Sequence, residues 1–218
     1  MKMKMINIDD RLTQIASYIR TGKIAADIGT DHAYLPVWLI QNGKCKRVIA
    51  SDINAGPCQR AVDNVKSYGL GDKIEIVQAN GLIGIDVYKP DDIIIAGMGG
   101  ELIWDIISAG DYVKMDGVQL ILQPMSKIML LRRLLTENGF DIIDETLARV
   151  DRRIYEVIHV GYNDVVQRYS EVELLIGRKN IENRHALFTK FVERKIYLLS
   201  KNIFTQNEKL IEELRALL

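Results

Sequence analysis

Ala26-Asp27-Ile28-Gly29-Thr30-Asp31-His32-Ala33-Tyr34-Leu35-Pro36 is the stretch that decides the fold of this 218-residue chain. It follows a short apolar run, and a second run, Arg47-Val48-Ile49-Ala50-Ser51-Asp52, also ends in an acid. Acid-Gly-acid turns after one strand and a carboxylate after the next are typical of a Rossmann-like sheet. The pattern therefore predicts the first β-turn-α unit of such a sheet, with Asp52 placed to hold a ribose.

The same turn indicates which kind of nucleoside would bind. A dinucleotide fingerprint has two further glycines that let the backbone approach a pyrophosphate, and here Asp31 and Tyr34 take those places. A carboxylate at that position would repel a diphosphate. S-adenosylmethionine has a nucleoside, no phosphate, and positive sulfonium and ammonium groups, so it fits better. The turn therefore predicts a methyltransferase.

Composition and cysteine spacing limit the class of protein and its partners. Hydrophobic residues make up 48% and charged residues 27% of the chain, as in ordinary globular proteins. Because no apolar run approaches the roughly 20 residues that cross a bilayer, we expect no membrane partner and a cytoplasmic protein. Cys45 and Cys58 lack metal-site spacing, so we expect no metal. The oligomeric state is open, with a monomer as the default.

Apolar runs of strand length alternate with helical segments after a leading amphipathic helix over Asp9–Arg20. The predicted strands are Ile24–Ile28, Val48–Ser51, Ile74–Val77, Ile93–Ala96 and Val118–Leu122. The predicted helices between them are Tyr34–Gln41, Pro57–Tyr68, Glu101–Ala109 and Lys127–Glu137. This alternation predicts an α/β fold with a parallel sheet covered on both faces, whose ligands bind beyond the carboxyl ends of the strands.

The alternation of strands and helices ends after Gly139. Two extended segments, Phe140–Val150 and Ile154–Val160, flank a polar turn with Arg152-Arg153 and predict an antiparallel hairpin. A five-stranded parallel core closed by such a hairpin is the seven-stranded sheet of class I methyltransferases. We expect residues 1–164 to form that S-adenosylmethionine-binding domain and residues 165–218 to form a helical domain.

Apolar spacing in the tail predicts long helices, as a helical hairpin or a short antiparallel coiled coil. The stripe consists of Phe188, Val192, Leu199, Ile203, Leu210, Ile211 and Leu214, widened by Leu187, Phe191 and Leu198. Residues 165–218 hold 10 Lys and Arg against 7 Asp and Glu, in a chain of zero net charge. This surplus favours a polyanionic partner, although such charge mixtures are more often plain solvated faces.

The predicted carboxyl edge supplies the candidate cofactor ligands. Asp27 or Asp31 can accept from the methionine ammonium group, and Asp52 can accept from both ribose hydroxyls. A solvated turn and a helix cap are the simpler explanations of these acids. The full predicted set is Asp27, Gly29, Asp31, His32, Leu35, Asp52, Ile53, Asn80, Gly81, Ala96, Gly97 and Met98.

A second loop, Ile95-Ala96-Gly97-Met98-Gly99-Gly100-Glu101, has three glycines in four residues and precedes a helix. It offers free backbone groups without side-chain bulk where a methyl group must pass, although a tight structural turn would look similar. The predicted catalytic residues are Asp31, Gly97, Met98, Gly99 and Gln123. The predicted contacts to the target base are Tyr34, Gly100 and Gln123.

Three motifs in order, residues 27–36, 95–100 and Leu120-Ile121-Leu122-Gln123-Pro124, resemble the bacterial tRNA (adenine-22-N1)-methyltransferase family. The resemblance implies methyl transfer from S-adenosylmethionine to N1 of an adenine in the tRNA D-arm region. It also implies that the tail is a coiled-coil appendage whose cations contact tRNA phosphates. These cations are Arg178, Lys179, Arg184, Lys190, Arg194 and Lys195.

The chain departs from that family in two places. Ala79-Asn80-Gly81-Leu82 replaces Gly-Asp-Gly-Leu, so an amide replaces an acid at the predicted adenine contact, and Gly177-Arg178 replaces a Gly-Pro pair at a helix boundary. Two other functions stay open from the residues alone. One is a methyltransferase for a small molecule or protein with a dimerising tail, and the other is a non-catalytic RNA-binding protein.

Overall fold

The computed structural model describes residues 5–201 and 207–218, and it is built on one seven-stranded sheet. The strand order is β3-β2-β1-β4-β5-β7-β6, with β1 to β5 parallel and β7 antiparallel to both β5 and β6. The strands are β1 Lys23–Ile28, β2 Cys45–Asp52, β3 Ile74–Gln78, β4 Asp92–Gly99, β5 Gln119–Ser126, β6 Phe140–Val150 and β7 Arg153–Tyr162. The α/β prediction and the closing hairpin are thus confirmed.

Helices cover both faces of the sheet. They are α1 Asp10–Tyr18, α2 Tyr34–Gln41, α3 Ala55–Ser67, α4 Gly100–Ser108, α5 Ile128–Glu137, α6 Glu171–Ile176, α7 Arg178–Asn183, α8 Phe188–Ser200 and α9 Asn207–Arg215, with 3₁₀ turns at Asp86–Tyr88 and Asp111–Lys114. Central strands are apolar because both of their faces are buried, and Ile93, Ile94 and Ile95 of β4 have no exposed surface. The chain order reverses between β1 and β4, which opens a crevice at their carboxyl ends.

Within the described residues the tail contains four helices of 6 to 13 residues, and the predicted apolar stripe lies on α8 and α9. Positive φ values separate α6 from α7 at Gly177, with φ 93°, and α7 from α8 at Arg184, with φ 49°. Leu198, expected in the buried stripe, is 49% exposed, and Ile203 lies outside the described residues. The helices pack on Leu147 of β6 and the partly buried Ile154 of β7, so the tail shares a core with the hairpin.

Buried charges connect the tail to the sheet. Arg132 of α5 has no exposed surface and donates to Glu145 of β6 and Glu156 of β7, each at 2.7 Å. Arg132 also donates to the Leu174 carbonyl at 2.9 Å, and Lys195 of α8 donates to Glu156 at 2.9 Å. We call Arg132, Glu145, Glu156 and Lys195 the junction cluster.

The junction cluster requires close approach of the tail backbone. The Lys179 backbone N–H donates to Glu145, and a β-carbon on Gly177 would collide with the Glu145 carboxylate. The expected boundary at residue 165 therefore divides the sequence but does not divide the packing. Among the described residues, no helix is both long and apolar enough to cross a bilayer. No three metal-ligating side chains converge in that part of the chain.

Candidate active site

The carboxyl ends of β1, β2 and β4 border two adjoining cavities. One, of about 290 Å³, lies beside α1 and is lined by residues that include Arg11, Asp27 and Tyr34. The other, of about 130 Å³, lies between the β2 and β4 ends. Its lining is Ile28, Gly29, Asp52, Ile53, Ala79, Asn80, Gly81, Met98, Leu102 and Ile106. Because Gly29 lines both cavities, an elongated ligand could extend through them as one cleft.

Gly29 and Met98 define the passage between the two cavities. Gly29 has a φ of 81°, and a β-carbon there would collide with the terminal methyl group of Met98. Only glycine leaves this passage free of a side chain from β1, and the flexible Met98 side chain occupies it from β4. The structure thus brings these two predicted residues together at the centre of the cleft.

Asp27 and Arg11 give the larger cavity both signs of charge. Asp27 is 8% exposed, and burial raises the pKa of its carboxyl to about 6, although a Thr30 hydrogen bond and the Arg11 charge oppose this shift. Arg11 lies on the same cavity from α1. An amino acid zwitterion carries an ammonium and a carboxylate, and these two side chains complement it. Sequence reasoning missed Arg11, because one arginine on an amphipathic helix gives no motif.

Gln123 is held by Arg11 and does not face open space. It has no exposed surface; its Oε1 accepts from Arg11 Nη1 at 2.8 Å, and its Nε2 donates to the Pro124 carbonyl at 3.0 Å. Both ends of the amide are occupied. In this arrangement Gln123 orients Arg11, and direct contact of Gln123 with the target base stays a prediction.

Asp31 points towards α3. Its Oδ1 accepts from Arg60 Nε at 3.1 Å, and the Arg60 hydrogen bonds hold the pKa of Asp31 below its usual value. His32 Nε2 lies 3.3 Å from Asp31, and the His32 ring stacks on Tyr34 with centroids 5.1 Å apart. Tyr34 is 47% exposed at the cleft, and Leu35 is buried behind it. Asp31 is therefore a paired, exposed carboxylate in this structure.

The smaller cavity has the polar and apolar groups of a nucleoside site. Asp52 ends β2, and its Oδ1 accepts from the Asn54 backbone N–H at 2.8 Å, so one of its oxygens has a structural role. Ile53 is 55% exposed and Leu102 is 51% exposed on this cavity, which Asn80 also lines. One Asp52 oxygen thus closes the turn before α3 rather than capping the helix, whose N-cap is Asn54, and the second oxygen has no protein donor in the described residues.

The glycine-rich loop has two parts with different roles. Ala96 and Gly97 line the larger cavity, and Gly97 has a φ of 79°. Gly100 is buried, and a β-carbon there would lie 2.6 Å from the Lys127 carbonyl and 3.0 Å from that of Ser126. Packing of α4 on the loop after β5 thus explains the glycine at position 100, and its contact with the target base stays a prediction. Gly99 lies between these two parts of the loop. A β-carbon at Gly99 would lie 3.2 Å from Ser126 Oγ.

Several tail cations have protein partners. Arg178 donates to Glu173 at 2.7 Å and lies 3.8 Å above the Tyr169 ring, and Lys195 belongs to the junction cluster. Lys179 pairs with Glu182 at 2.7 Å, and Arg184 donates to the Leu217 carbonyl. Lys190 and Arg194 are exposed. The last two are the tail cations best placed to meet a phosphate.

Comparison with known proteins adds independent observations. A family model described as a methyltransferase domain matches residues 8–158. The chain is 35% identical over 192 residues to the tRNA (adenine(22)-N(1))-methyltransferase of Bacillus subtilis, covering 86% of this chain and 81% of the relative.

Solved structures agree with this match. A putative tRNA (m1A22) methyltransferase of Streptococcus pneumoniae in complex with S-adenosyl-L-methionine aligns with a TM-score of 0.85 and 32% identity, over 97% of this chain and 98% of that one. The B. subtilis M1A22 tRNA methyltransferase aligns with a TM-score of 0.80 and 31% identity, over 97% and 95%. A Mycoplasma capricolum relative in complex with S-adenosyl-homocysteine aligns with a TM-score of 0.77 and 30% identity, over 96% and 93%.

Proposed function

This chain belongs to the tRNA (adenine(22)-N(1))-methyltransferase family, and from that premise we propose that it methylates N1 of adenine 22 in tRNA. S-adenosylmethionine is the methyl donor. The observation that carries the proposal is the two-part cleft at the β1 and β4 ends. One part has charges complementary to an amino acid zwitterion, and the other combines Asp52 and Asn80 with the apolar side chains that a nucleoside needs. This reading is favoured over a small-molecule methyltransferase and over a non-catalytic RNA-binding protein.

The residues present fit this donor. Asp27 would accept from its ammonium group, Arg11 would donate to its carboxylate, and Asp52 would accept from its ribose hydroxyls with the oxygen that the Asn54 N–H leaves open. Ile53 and Leu102 are the apolar side chains that would contact the adenine. Gly29 leaves room where the two cavities join, beside the Met98 side chain. Bound S-adenosylmethionine supplies an electrophilic methyl group.

The chain's own contribution to the chemistry is positioning. Adenine N1 has an in-plane lone pair, so no protein base has to remove a proton before it reacts. The product base is cationic, and the carboxylates of Asp27 and Asp31 at the larger cavity favour that charge electrostatically. Gly97 keeps the approach to the methyl group free of a side chain. Because N1 lies on the Watson–Crick edge, the target adenine has to be unpaired or turned out of the stack.

The partner is tRNA, and a tRNA substrate places the reaction in the cytoplasm. Exposed Tyr34 offers a ring on which the target base can stack, supported from behind by the His32 ring.

Nucleoside mass spectrometry tests this function. The full chain is incubated with S-adenosylmethionine and unmodified tRNA transcript, alongside a matched transcript with guanine at position 22. We expect 1-methyladenosine only with the adenine transcript. Methylation of both transcripts, or of neither while the protein binds S-adenosylmethionine, would contradict the assigned target.

Arg11→Gln tests the cofactor assignment by calorimetry. Removing a charged donor to the carboxylate should weaken S-adenosylmethionine binding by about 1.5 to 3 kcal/mol. S-adenosylmethionine esterified at its carboxyl group is the matched ligand, and it should bind both proteins with similar affinity. An equal loss for both ligands would contradict the assigned contact.

A further inference from the structure

The turn between β6 and β7 carries a group of arginines that the cleft does not use. We call residues 149–153, Arg149-Val150-Asp151-Arg152-Arg153, the hairpin tip. Val150 pairs with Arg153, so only Asp151 and Arg152 form the turn, and Asp151 has a φ of 54°, a region that Asp tolerates. All three arginines are exposed.

Strand direction places the hairpin tip beside the cleft. β7 runs antiparallel to β5, with Leu122 opposite Ile158 and Gln119 opposite Gly161. The start of β7 therefore lies at the carboxyl end of β5, which is the edge of the sheet that borders the cleft. If β7 ran parallel to β5, the hairpin tip would lie at the opposite edge of the sheet.

Contacts connect the hairpin tip to the cleft through Arg11. The Arg11 guanidinium hydrogen-bonds Gln123 and lies 5.9 Å from the centroid of the Tyr155 ring. Tyr155 and Arg153 are two residues apart on β7, so their side chains leave the same face of the strand. Arg153 thus extends from the cleft side of the hairpin.

Arg149 extends from the other side. It pairs with Ile154, which packs on the tail core, and directly opposed residues share a face. The hairpin tip therefore presents one arginine towards the cleft, one in the turn and one towards the tail.

The arginine charges of the hairpin tip are not neutralised by carboxylates. In residues 5–201 and 207–218, none of the three arginines forms a salt bridge. Arg149 Nε donates to the Asp151 carbonyl at 3.0 Å, and the nearby Asp10 carboxylate accepts from the Arg149 backbone N–H. Counting Asp151, the hairpin tip keeps a surplus of two positive charges.

Three carboxylates line the cleft against one arginine, Arg11, so the cleft floor has a net negative charge. Asp27, Asp31 and Asp52 lie at the strand ends, and they repel a phosphate. A nucleic acid whose base enters the cleft therefore has its phosphates outside it. The hairpin tip is a cationic surface at the cleft rim, with guanidinium groups that suit phosphate oxygens.

We propose that the hairpin tip, through Arg152 and Arg153, binds tRNA phosphates flanking the target adenine and holds the base over the cleft. This inference rests on the proposed function for the identity of the nucleic acid. It assigns phosphate binding to the sheet domain as well as to the tail.

Arg152→Ala/Arg153→Ala in the full chain is the test. We expect its KM for tRNA to rise at least about tenfold and the slope of log KM against log salt to fall by about 1.4 to 1.8, since each of the two phosphate contacts contributes about 0.7 to 0.9. S-adenosylmethionine affinity should stay at the wild-type value. Arg152→Lys/Arg153→Lys should restore most of the salt dependence, because an ammonium group also binds phosphate.

Lys46→Ala/Lys73→Ala is the matched control. Both lysines are exposed, and they lie at the start of β2 and just before β3, at the amino edge of the sheet. Their removal takes away the same charge and should leave KM and the salt slope unchanged. An equal effect of both double variants would show a general charge effect and overturn the proposal, as would a wild-type KM in Arg152→Ala/Arg153→Ala.

Direct tRNA binding separates this inference from the proposed function. Fluorescence anisotropy with labelled transcript should show weaker binding for Arg152→Ala/Arg153→Ala than for the control. Tip-dependent binding by a wild-type protein that does not methylate the transcript would refute the proposed function and support the docking surface. Equal binding by the wild type and the tip variant would refute the docking surface, whatever the activity.

Discussion

Charged side chains are arranged in opposite ways in the cleft and in the junction cluster. In the junction cluster, Arg132 lies between two carboxylates and Lys195 pairs with one of them. In the cleft, Asp27 is nearly as buried but has no salt bridge in the described part of the chain. The pKa values of Glu156 and Asp27 differ accordingly, although burial also raises the pKa of Glu145 in the junction cluster. Although burial opposes it, Lys195 and Arg132 hold the pKa of Glu156 below its usual value, whereas burial raises that of Asp27.

This difference distinguishes charges that stabilise the fold from charges that are available to bind a ligand. A buried charge with a full set of partners stabilises its own surroundings, and removal of one partner is costly. A buried carboxylate without a cationic partner destabilises the free protein and gains its partner on binding. Substitutions in the two regions should therefore change stability in opposite directions.

Arg132→Met should have the largest effect. It removes the common partner of Glu145 and Glu156 and leaves both carboxylates buried, which should cost about 3 to 5 kcal/mol of unfolding free energy. Urea denaturation measures it. Arg133→Met, one residue along the same helix and exposed, is the control and should stay within about 0.5 kcal/mol. Similar losses for both variants would mean that the junction cluster is not a distinct source of stability.

Asp27→Asn should stabilise the free protein. The folded pKa of about 6 exceeds the ordinary value of 3.8, so folding favours the protonated form. The contribution of Asp27 to stability is therefore full below pH 4 and is lost as pH rises through about 6. Asparagine should then add about 2 to 3 kcal/mol at pH 7.5 and nothing at pH 4.

The same variant should bind S-adenosylmethionine more weakly, by about 10- to 100-fold, because an amide accepts less strongly from an ammonium group. Denaturation at several pH values tests the predicted gain in stability, and calorimetry at pH 7.5 tests the predicted loss of S-adenosylmethionine affinity. Asp31→Asn is the exposed control, with less than about 1 kcal/mol of change in stability. Loss of stability in Asp27→Asn at pH 7.5 would remove the contrast between the two regions.

Asp52→Asn should have a smaller effect, confined to binding. The amide oxygen can still accept from the Asn54 N–H, so stability should change by less than about 0.5 kcal/mol, while loss of the charge should weaken S-adenosylmethionine binding by about 1 to 1.5 kcal/mol. Asp52→Ala is the comparison variant and should lose both the hydrogen bond to the Asn54 N–H and the affinity. Unchanged affinity in folded Asp52→Asn would leave Asp52 with the turn-stabilising role alone.

Lys190→Ala/Arg194→Ala should have the smallest effect. Both side chains are exposed, so stability should change by less than about 0.5 kcal/mol. If the tail contacts phosphates, the KM for tRNA should rise by less than it does for Arg152→Ala/Arg153→Ala. A larger rise would place the main phosphate contacts on the tail, as the sequence alone predicts.

Sequence reasoning could place residues that depend on strand order. The apolar runs of β1, β2 and β4 are long enough to identify, and their carboxyl ends share one edge, so Gly29, Asp52 and Met98 could be expected together. The distinction between Gly97 and Gly100 depends on what a side chain at each position would contact, which the sequence does not carry.

Long-range polar contacts are not visible in the sequence. Arg11 and Gln123 are 112 residues apart, and Arg132 lies on an amphipathic helix where a charge is normally taken as solvated. The close approach of Gly177 to the Glu145 carboxylate, which fixes the helix boundary there, is another such contact.

The junction cluster also fixes the position of the tail relative to the cleft. Because Arg132 contacts two strands and the α6 backbone at once, the tail cannot swing away from the sheet without leaving charges buried and unpaired. Packing of the tail on the sheet therefore favours one spacing from the tail and the hairpin tip to the cleft. A folded tRNA is a stiff object of its own, so only a nucleotide at the matching separation from the bound phosphates reaches the methyl group. Selection of one adenine among many would follow from length, without any side chain reading the neighbouring bases.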